Sequence, residues 1–421
     1  MAEIDVPPYF LCPISLEIMK DPVTIPTGIT YDRDSIEKWV FSEGNASCPV
    51  TKQPLSGAAD LTTPNVTLRR LIQSWCTLHA AHGVQRLPTP KPPVTRSQLT
   101  KLLNDTKAAP QIQIKSLQTL RSIASQNQTN RISMENAGVA DFLASLIVDN
   151  TLHQSSRPES SGSDPDPDLS GSRKACEEAV AILYALQLSE SSLEALAQNP
   201  EFPEALTRLI PNSGYESRVQ AIIILRSMLE SSDPTRQFIP KSEFYLELAE
   251  ILRSQDVCQN VSKAVLKILI CTTPWGRNRV KAVEAGLVPV LVDLLLNWAD
   301  KRACELGLIA LDLLCQCADG RSELINHGAG LAIVSKKILR VSNSASERGV
   351  RILHSVSRFS GTPGVLQEML QMGVVAKLCL VLQVDSGPKT KERARDILRM
   401  HARTWRASSC IPTGLVSAYP S

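Results

Sequence analysis

The chain has 421 residues, of which 43% are hydrophobic and 21% charged. That is long enough for two or three domains and apolar enough to exclude global disorder. The formal net charge of +3 is small and evenly spread, which argues against nucleic-acid binding, and aromatics at 4% favour packed helices over a β-sandwich.

Residues 1–11 hold two acids, two prolines and no apolar run of signal-peptide length. No run of about 20 apolar residues suggests a transmembrane helix. The 11 cysteines are scattered without a Cys-x-x-Cys pair. Reduced thiols are therefore expected, in a cytoplasmic protein that could also visit the nucleus or a membrane surface.

Residues 7–82 read as a small α+β domain. Residues 23–25 and 29–31 flank a Pro-Thr-Gly turn and predict a hairpin. Asp32 is placed to cap a helix running through Trp39 and Phe41, with Gly44 near its end. Cys12-Pro13 and Cys48-Pro49 put two tight loops on either side of that helix. Asn65 or Thr67 opens a second helix, with Leu68, Leu71, Ile72 and Trp75 on one stripe.

Residues 83–96 contain Pro88, Pro90, Pro92 and Pro93 and predict an extended, semi-rigid linker. Residues 97–406 then read as amphipathic helices. Segment 150–172, rich in Ser, Asp, Pro and Gly, is expected to be a disordered loop, and 407–421 a flexible tail.

The helical region repeats itself. Asn-Arg-Ile-Ser-Met-Glu-Asn-Ala-Gly-Val from Asn130 returns as Asn-Arg-Val-Lys-Ala-Val-Glu-Ala-Gly-Leu from Asn278. Looser copies end at Gly328 and Gly373. Gly286, Gly328 and Gly373 are spaced within the period of about 40 to 47 residues of armadillo and HEAT units. Each copy predicts a short helix ending at a left-handed glycine, then two further helices. Segments 173–188, 218–229, 261–270 and 302–317 read as third helices, the last with Leu306, Ile309, Ala310 and Leu313 on one face. About five to six units should stack into a superhelix.

The phrases Cys12-Pro13-Ile14-Ser15-Leu16, Thr27-Gly28-Ile29-Thr30-Tyr31-Asp32-Arg33, Trp39, Cys48-Pro49-Val50-Thr51-Lys52 and Leu61-Thr62-Thr63-Pro64-Asn65 occur in an order that resembles the U-box, a zinc-free RING-like fold. With the armadillo-like repeats behind it, the chain resembles the plant U-box E3 ubiquitin ligases, in particular their short subgroup associated with stress and immune signalling. The fold class is thus mostly α, a small α+β U-box followed by an armadillo superhelix. A RING needs about eight Cys/His ligands, whereas only Cys12 and Cys48 fall in the loops and His79 and His82 lie beyond the second helix. Neither metal nor cofactor is expected. Asp21, Thr30, Asp32, Arg33, Glu37 and Thr51 are candidates for the polar networks that must hold the loops instead, but sequence assigns them no partners.

The resemblance implies that Ile14, Trp39 and Pro49 bind an E2 enzyme, that Cys12 and Val50 support the loops, and that Lys52 is a candidate linchpin touching E2 and ubiquitin. It implies ubiquitin transfer to a substrate lysine without a covalent ligase intermediate, a substrate held by the repeats, and a U-box homodimer as a further partner state. The alternative is a non-catalytic armadillo adaptor. Thr63-Pro64 and Thr89-Pro90 fit proline-directed kinases, and the same pairs also serve as turn chemistry.

Overall fold

A computed structural model describes residues 5–42, 45–55, 63–80, 84, 94–107, 110–155, 167–231, 238–254 and 258–406. The chain divides into two compact units, Met1–Lys101 with Ser122–Ala137, and Leu102–Arg121 with Gly138–Ser421. Most of the linker, Thr89 and the tail lie outside the described residues. Residues 122–137 belong with the first unit. Thr129 there donates a hydrogen bond to Glu37, and Asn130 Oδ1 accepts one from the Val94 amide at 3.2 Å.

In the first unit, strands β1 (Pro22–Thr24) and β2 (Thr30–Asp32) form the expected antiparallel hairpin, with Val23 opposite Tyr31. Gly28 closes the turn at φ +83°, its amide 2.9 Å from the Ile25 carbonyl. A third strand, β3 (Thr63–Pro64), pairs with β1 and was not foreseen. Two residues carry no alternation to read, and Pro64 is tolerated because β3 lies at the edge of the sheet.

Helix α1 (Arg33–Glu37) widens into a π-type turn over Lys38–Ser42. Asp32 stands at its N-cap position, but its side chain does not cap. Its Oδ1 instead accepts from the Lys20 and Asp21 amides, both at 2.8 Å, and so ties the first loop to the helix. Helix α2 (Val66–Leu78) is capped by Asn65, whose Oδ1 accepts from the Leu68 amide at 3.0 Å. Ile72 and Cys76 are buried, with Leu68 and Trp75 packed beside them. Leu71, expected on that stripe, is 52% exposed, so the buried face is centred one position further round. Phe10, Met19, Val23, Tyr31, Ile36 and Ile72 form the core.

The second unit is a helical array. Its last three repeats are full triplets: Gly276–Glu284, Leu287–Asn297 and Lys301–Leu314; Ala318–Asn326, Gly330–Lys337 and Asn343–Phe359; Pro363–Gln371, Val374–Gln383 and Pro388–Met400. Further third helices lie upstream at Pro110–Ala124, Pro167–Leu186, Tyr215–Ser231 and Gln259–Thr272, making seven among the described residues. From Pro167–Leu186 onward each packs on the next. A third helix therefore buries more than one stripe: Leu306 and Ala310 are buried as expected, and so are Leu308, Leu311 and Leu314.

The recurring Asn-Arg phrase has a physical role. Asn278 Nδ2 donates to the Thr272 carbonyl at 3.0 Å, and Arg279 to the Pro274 carbonyl at 3.1 Å. In the looser copy Arg321 donates to the Cys315 carbonyl at 3.1 Å. Each satisfies carbonyls left open where the preceding third helix ends.

Gly138, Gly286 and Gly373 take the expected left-handed conformation, at φ +76°, +75° and +70°. Gly328 does not. That copy is one residue longer at the turn, and the helix restarts at Gly330, where a Cβ would meet the Leu324 carbonyl oxygen at 2.0 Å.

Within the interruption expected over 150–172, residues 150–155 and 167–172 are helical, and 156–166 lie outside the described residues. Helix Val139–Ser155 continues because no Pro or Gly stops it, and Pro167 suits the first turn of the next helix. The last third helix ends at Met400, and a short helix, Ala402–Arg406, follows. Its Trp405 is fully buried, with Nε1 donating to the Ile397 carbonyl at 3.3 Å.

Candidate functional site

The two Cys-Pro loops have the same backbone design. In the first, the Leu16 amide reaches the Cys12 carbonyl at 2.8 Å and the Cys12 amide the Glu17 carbonyl at 2.9 Å. In the second, the Lys52 amide reaches the Cys48 carbonyl at 2.9 Å and the Cys48 amide the Gln53 carbonyl at 2.8 Å. Each loop turns on a non-glycine residue in the left-handed region, Leu16 at φ +59° and Lys52 at φ +58°. That conformation is costly for side-chain-bearing residues, by about 1 to 2 kcal/mol. It persists because both ends of each loop are pinned.

The pins are the cysteine sulfurs. Cys12 Sγ accepts from the Asp32 amide at 3.3 Å. Cys48 Sγ accepts from the Thr51 amide at 3.4 Å and the Thr27 hydroxyl at 3.5 Å, and lies 3.1 Å from the Tyr31 hydroxyl. The Val50 amide donates to that same hydroxyl at 3.4 Å. Burial pushes the Cys48 thiol up, but hydrogen bonds from Thr27, Thr51 and Tyr31 outweigh it and hold it at about 6. Cys12 follows the same pattern: burial raises it, while backbone donors at Ser15, Asp32 and Ile14 bring it below the ordinary thiol value. Burial raises Asp32, opposed by the Asp21 and Lys20 amides.

Replacing Cys48 by Ala would take the sulfur partner from the buried Tyr31 hydroxyl and from the Thr51 amide. The expected loss is about 1 to 3 kcal/mol. Cys48→Ser, which restores an acceptor, should recover much of it; the check is the urea midpoint of the three proteins followed by tyrosine and tryptophan fluorescence.

The remaining polar residues form two clusters. Arg33 Nε lies 2.7 Å from Asp21 Oδ2, and Arg33 Nη1 3.6 Å from Glu37 Oε1. Arg69 of α2 reaches Asp21 Oδ1 at 3.4 Å. Thr24 and Thr30 bond across the hairpin at 2.9 Å, and the Asn65 amide group touches both. Thus Asp21, Thr30, Asp32, Arg33, Glu37 and Thr51 all receive partners.

Trp39 stands beside the second loop. Its Nε1 donates to the Ser47 carbonyl at 2.9 Å, and Lys52 Nζ lies 5.9 Å from the ring centroid. Ile14 and Trp39 are partly buried against the common core, and Pro49 is half-buried at the loop tip. Val50 supports its loop through the backbone amide, and its side chain is 53% exposed. Leu16, 74% exposed at the position equivalent to Lys52, was not singled out from sequence. The repeated Cys-Pro-x-Ser/Thr-x phrase was the signal for it. The result is a surface of two loops flanking a helix, with Leu16 and Val50 held outward. Both cysteines are fully buried.

Residues 6–81 match the U-box domain family, and residues 98–421 match the plant U-box protein ARM repeat region. The chain belongs to the plant U-box proteins with armadillo repeats. It is 50% identical to E3 ubiquitin-protein ligase PUB23 of Arabidopsis thaliana over 99% of this chain and 98% of that protein. It is 48% identical to PUB22 of the same plant over 100% of this chain and 99% of that protein. E3 ubiquitin-protein ligase PUB24 is 35% identical over 99% of this chain and 96% of that one. This U-box protein is an E3 ubiquitin-protein ligase, a transferase of the RING type, and its partner in the reaction is an E2 enzyme.

Proposed function

We propose that the E2 docks across the two Cys-Pro loops and α1, with Trp39 as its anchor and Ile14 and Pro49 as apolar contacts. The observation that carries this reading is the rigid pairing of Trp39 with the second loop, through Ser47 on one side and Lys52 on the other. A large aromatic set in a pre-organised surface is the usual anchor of a protein interface.

Catalysis is then positional. The substrate lysine amine attacks the thioester carbonyl of the E2–ubiquitin conjugate; the C–N bond forms, the C–S bond breaks, and the E2 cysteine leaves as thiol after the amine gives up its proton. The ligase lowers the barrier by restraining the conjugate and bringing the amine close. Lys52 supplies a cation where E2 and ubiquitin would meet, although it lacks the two-pronged geometry of Arg. Cys12 and Cys48 take no covalent part, since their sulfurs are buried and engaged as acceptors. The armadillo unit holds the substrate, as stacked helical repeats hold extended partners, and the ligase acts in plant stress or defence signalling, a reading that the family resemblance supports. Phosphorylation of Thr63 would put about two negative charges on the exposed edge strand β3 and so tune this module.

The test is self-ubiquitination with purified E1, a panel of E2 enzymes, ubiquitin and ATP. Wild type should give a ladder that Ile14→Ala and Pro49→Ala suppress while circular dichroism stays unchanged. A ladder that survives both substitutions would remove this surface as the E2 site.

A further inference from the structure

Ion pairs link successive third helices of the repeat unit, as in Lys267 with Glu230 at 2.7 Å and Lys263 with Asp300 at 2.9 Å. One helix to one carboxylate is enough to hold neighbours together. Helix Asn343–Phe359 departs from that economy. Arg348 and Arg351 converge on the same oxygen, Asp312 Oδ2, at 3.1 and 3.2 Å. Asp312 is 4% exposed, so it holds the two guanidiniums from their buried side. Arg393 joins from the next third helix, 3.6 Å from Glu347 Oε1. Arg348 Nε and Arg393 Nη1 are sealed from water and make no hydrogen bond.

Arg348, Arg351 and Arg358 occupy one face of this helix, and Phe359 ends the stripe. Arg358 is exposed and makes no ion pair with any described residue. Phe359 is 63% exposed, with the Arg321 guanidinium 5.0 Å and that of Arg358 5.4 Å from its ring. Five arginines here face three carboxylates, Asp312, Glu347 and Asp396. Of these Asp312 is buried, and Glu347 and Asp396 pair at the margin with Arg393 and, at 3.9 Å, His354. Burial pushes the His354 imidazole below the ordinary value, against the pull of Asp396.

We propose that this stripe docks an extended acidic segment of the substrate, its carboxylates pairing with Arg351, Arg358 and Arg393 and one apolar side chain lying on Phe359. The proposal rests on the repeat unit being the substrate holder. Ten helical residues separate Arg348 from Arg358, a span of about 15 Å, which accommodates roughly four to five extended residues. Carboxylates favour arginine because two parallel N–H donors meet two oxygens, and an exposed aromatic flanked by arginines matches the composition of interface hot spots.

The experiment uses the full chain and a fluorescein-labelled peptide of repeated Glu-Ser with one Leu, read by fluorescence anisotropy. Wild type should bind it, with affinity falling as salt rises. Arg358→Glu should weaken binding about tenfold or more, and Phe359→Ala should weaken it less; both side chains are exposed, so folding is not at stake. Arg277→Glu, an exposed arginine elsewhere, should leave binding as in wild type. Equal affinity in Arg358→Glu and wild type, or equal binding of a Lys-Ser counterpart, would overturn the proposal. So would Arg358-dependent binding to phosphatidylserine vesicles in the absence of peptide binding. Fusing the peptide to a lysine-bearing carrier separates the two readings. Peptide binding at the stripe with no faster carrier ubiquitination would keep the surface and remove the substrate-holder role. Faster carrier ubiquitination that needs the peptide but not Arg358 would keep that role and sink the stripe.

Discussion

Trp39→Ala is expected to abolish E2-dependent chain formation while leaving the U-box folded. The indole is partly buried, so its removal costs some packing, but it lies at the margin of the core and not within it. Losing the bond from Nε1 to the Ser47 carbonyl should cost about 1 kcal/mol of stability. The larger loss is in binding. Truncating a central aromatic of an interface removes about 2 kcal/mol or more, which weakens E2 affinity by roughly 30-fold. Trp39→Phe divides the effect: it keeps a ring under Lys52 and removes the donor that pins Ser47, so it should retain intermediate activity. Calorimetric titration of E2 into the two variants, beside a self-ubiquitination ladder and a circular dichroism spectrum, tests this. Normal E2 affinity in a folded Trp39→Ala protein would show that the anchor lies elsewhere.

Much of this surface was legible because its chemistry is local in sequence. The hairpin followed from a Pro-Thr-Gly turn between apolar residues, and the Asn65 cap from its place ahead of a helical stripe. The two Cys-Pro loops announced themselves by repeating a phrase. What could not be read was each long-range choice. Asp32 has the right residue type and position for a cap, yet two amides of the first loop, Lys20 and Asp21, offered its carboxylate better-placed donors. Strand β3 exists only because β1 presents an open edge to it. The left-handed Leu16 and Lys52 carry no composition signal, since such a conformation usually marks Gly or Asn.

The repeat region follows the same division. Glycines 138, 286 and 373 were readable because left-handed backbone nearly demands glycine. Gly328 misled because the phrase around it holds a second glycine, Gly330, and only the approach of the Leu324 carbonyl decides which one the fold needs. The Asn-Arg phrase was visible as a repeat, but its role in satisfying carbonyls at the preceding helix end depends on how the chain turns back in the fold. The convergence of Arg348 and Arg351 on Asp312 spans two repeats and was invisible in a linear reading.

Arg33→Ala is expected to destabilise the U-box more than any substitution on its docking surface. Arg33 is 6% exposed and joins three elements: Asp21 at the end of the first loop, Glu37 on its own helix and, through Asp21, Arg69 of α2. Its backbone amide also donates to the Asp21 carbonyl at 3.0 Å, so main chain and side chain fix the same neighbour. Removing the guanidinium strands Glu37, 5% exposed, and part of Asp21 without their cation. Breaking a buried pair in this way costs about 3 to 5 kcal/mol. A domain of this size has only about 5 kcal/mol or so in hand, so the variant should sit near the limit of folding. Arg33→Lys keeps the charge and loses the fork, which should place it between the two. Amide hydrogen exchange in the hairpin, at Val23 and Tyr31, measures this in the full chain without reporting on the repeats. Exchange there should quicken by roughly a hundredfold or more in Arg33→Ala. If it stays close to wild type, the Asp21–Arg33–Glu37 network is not what holds the first loop to the helix, and Asp32 with its two amide contacts becomes the principal link.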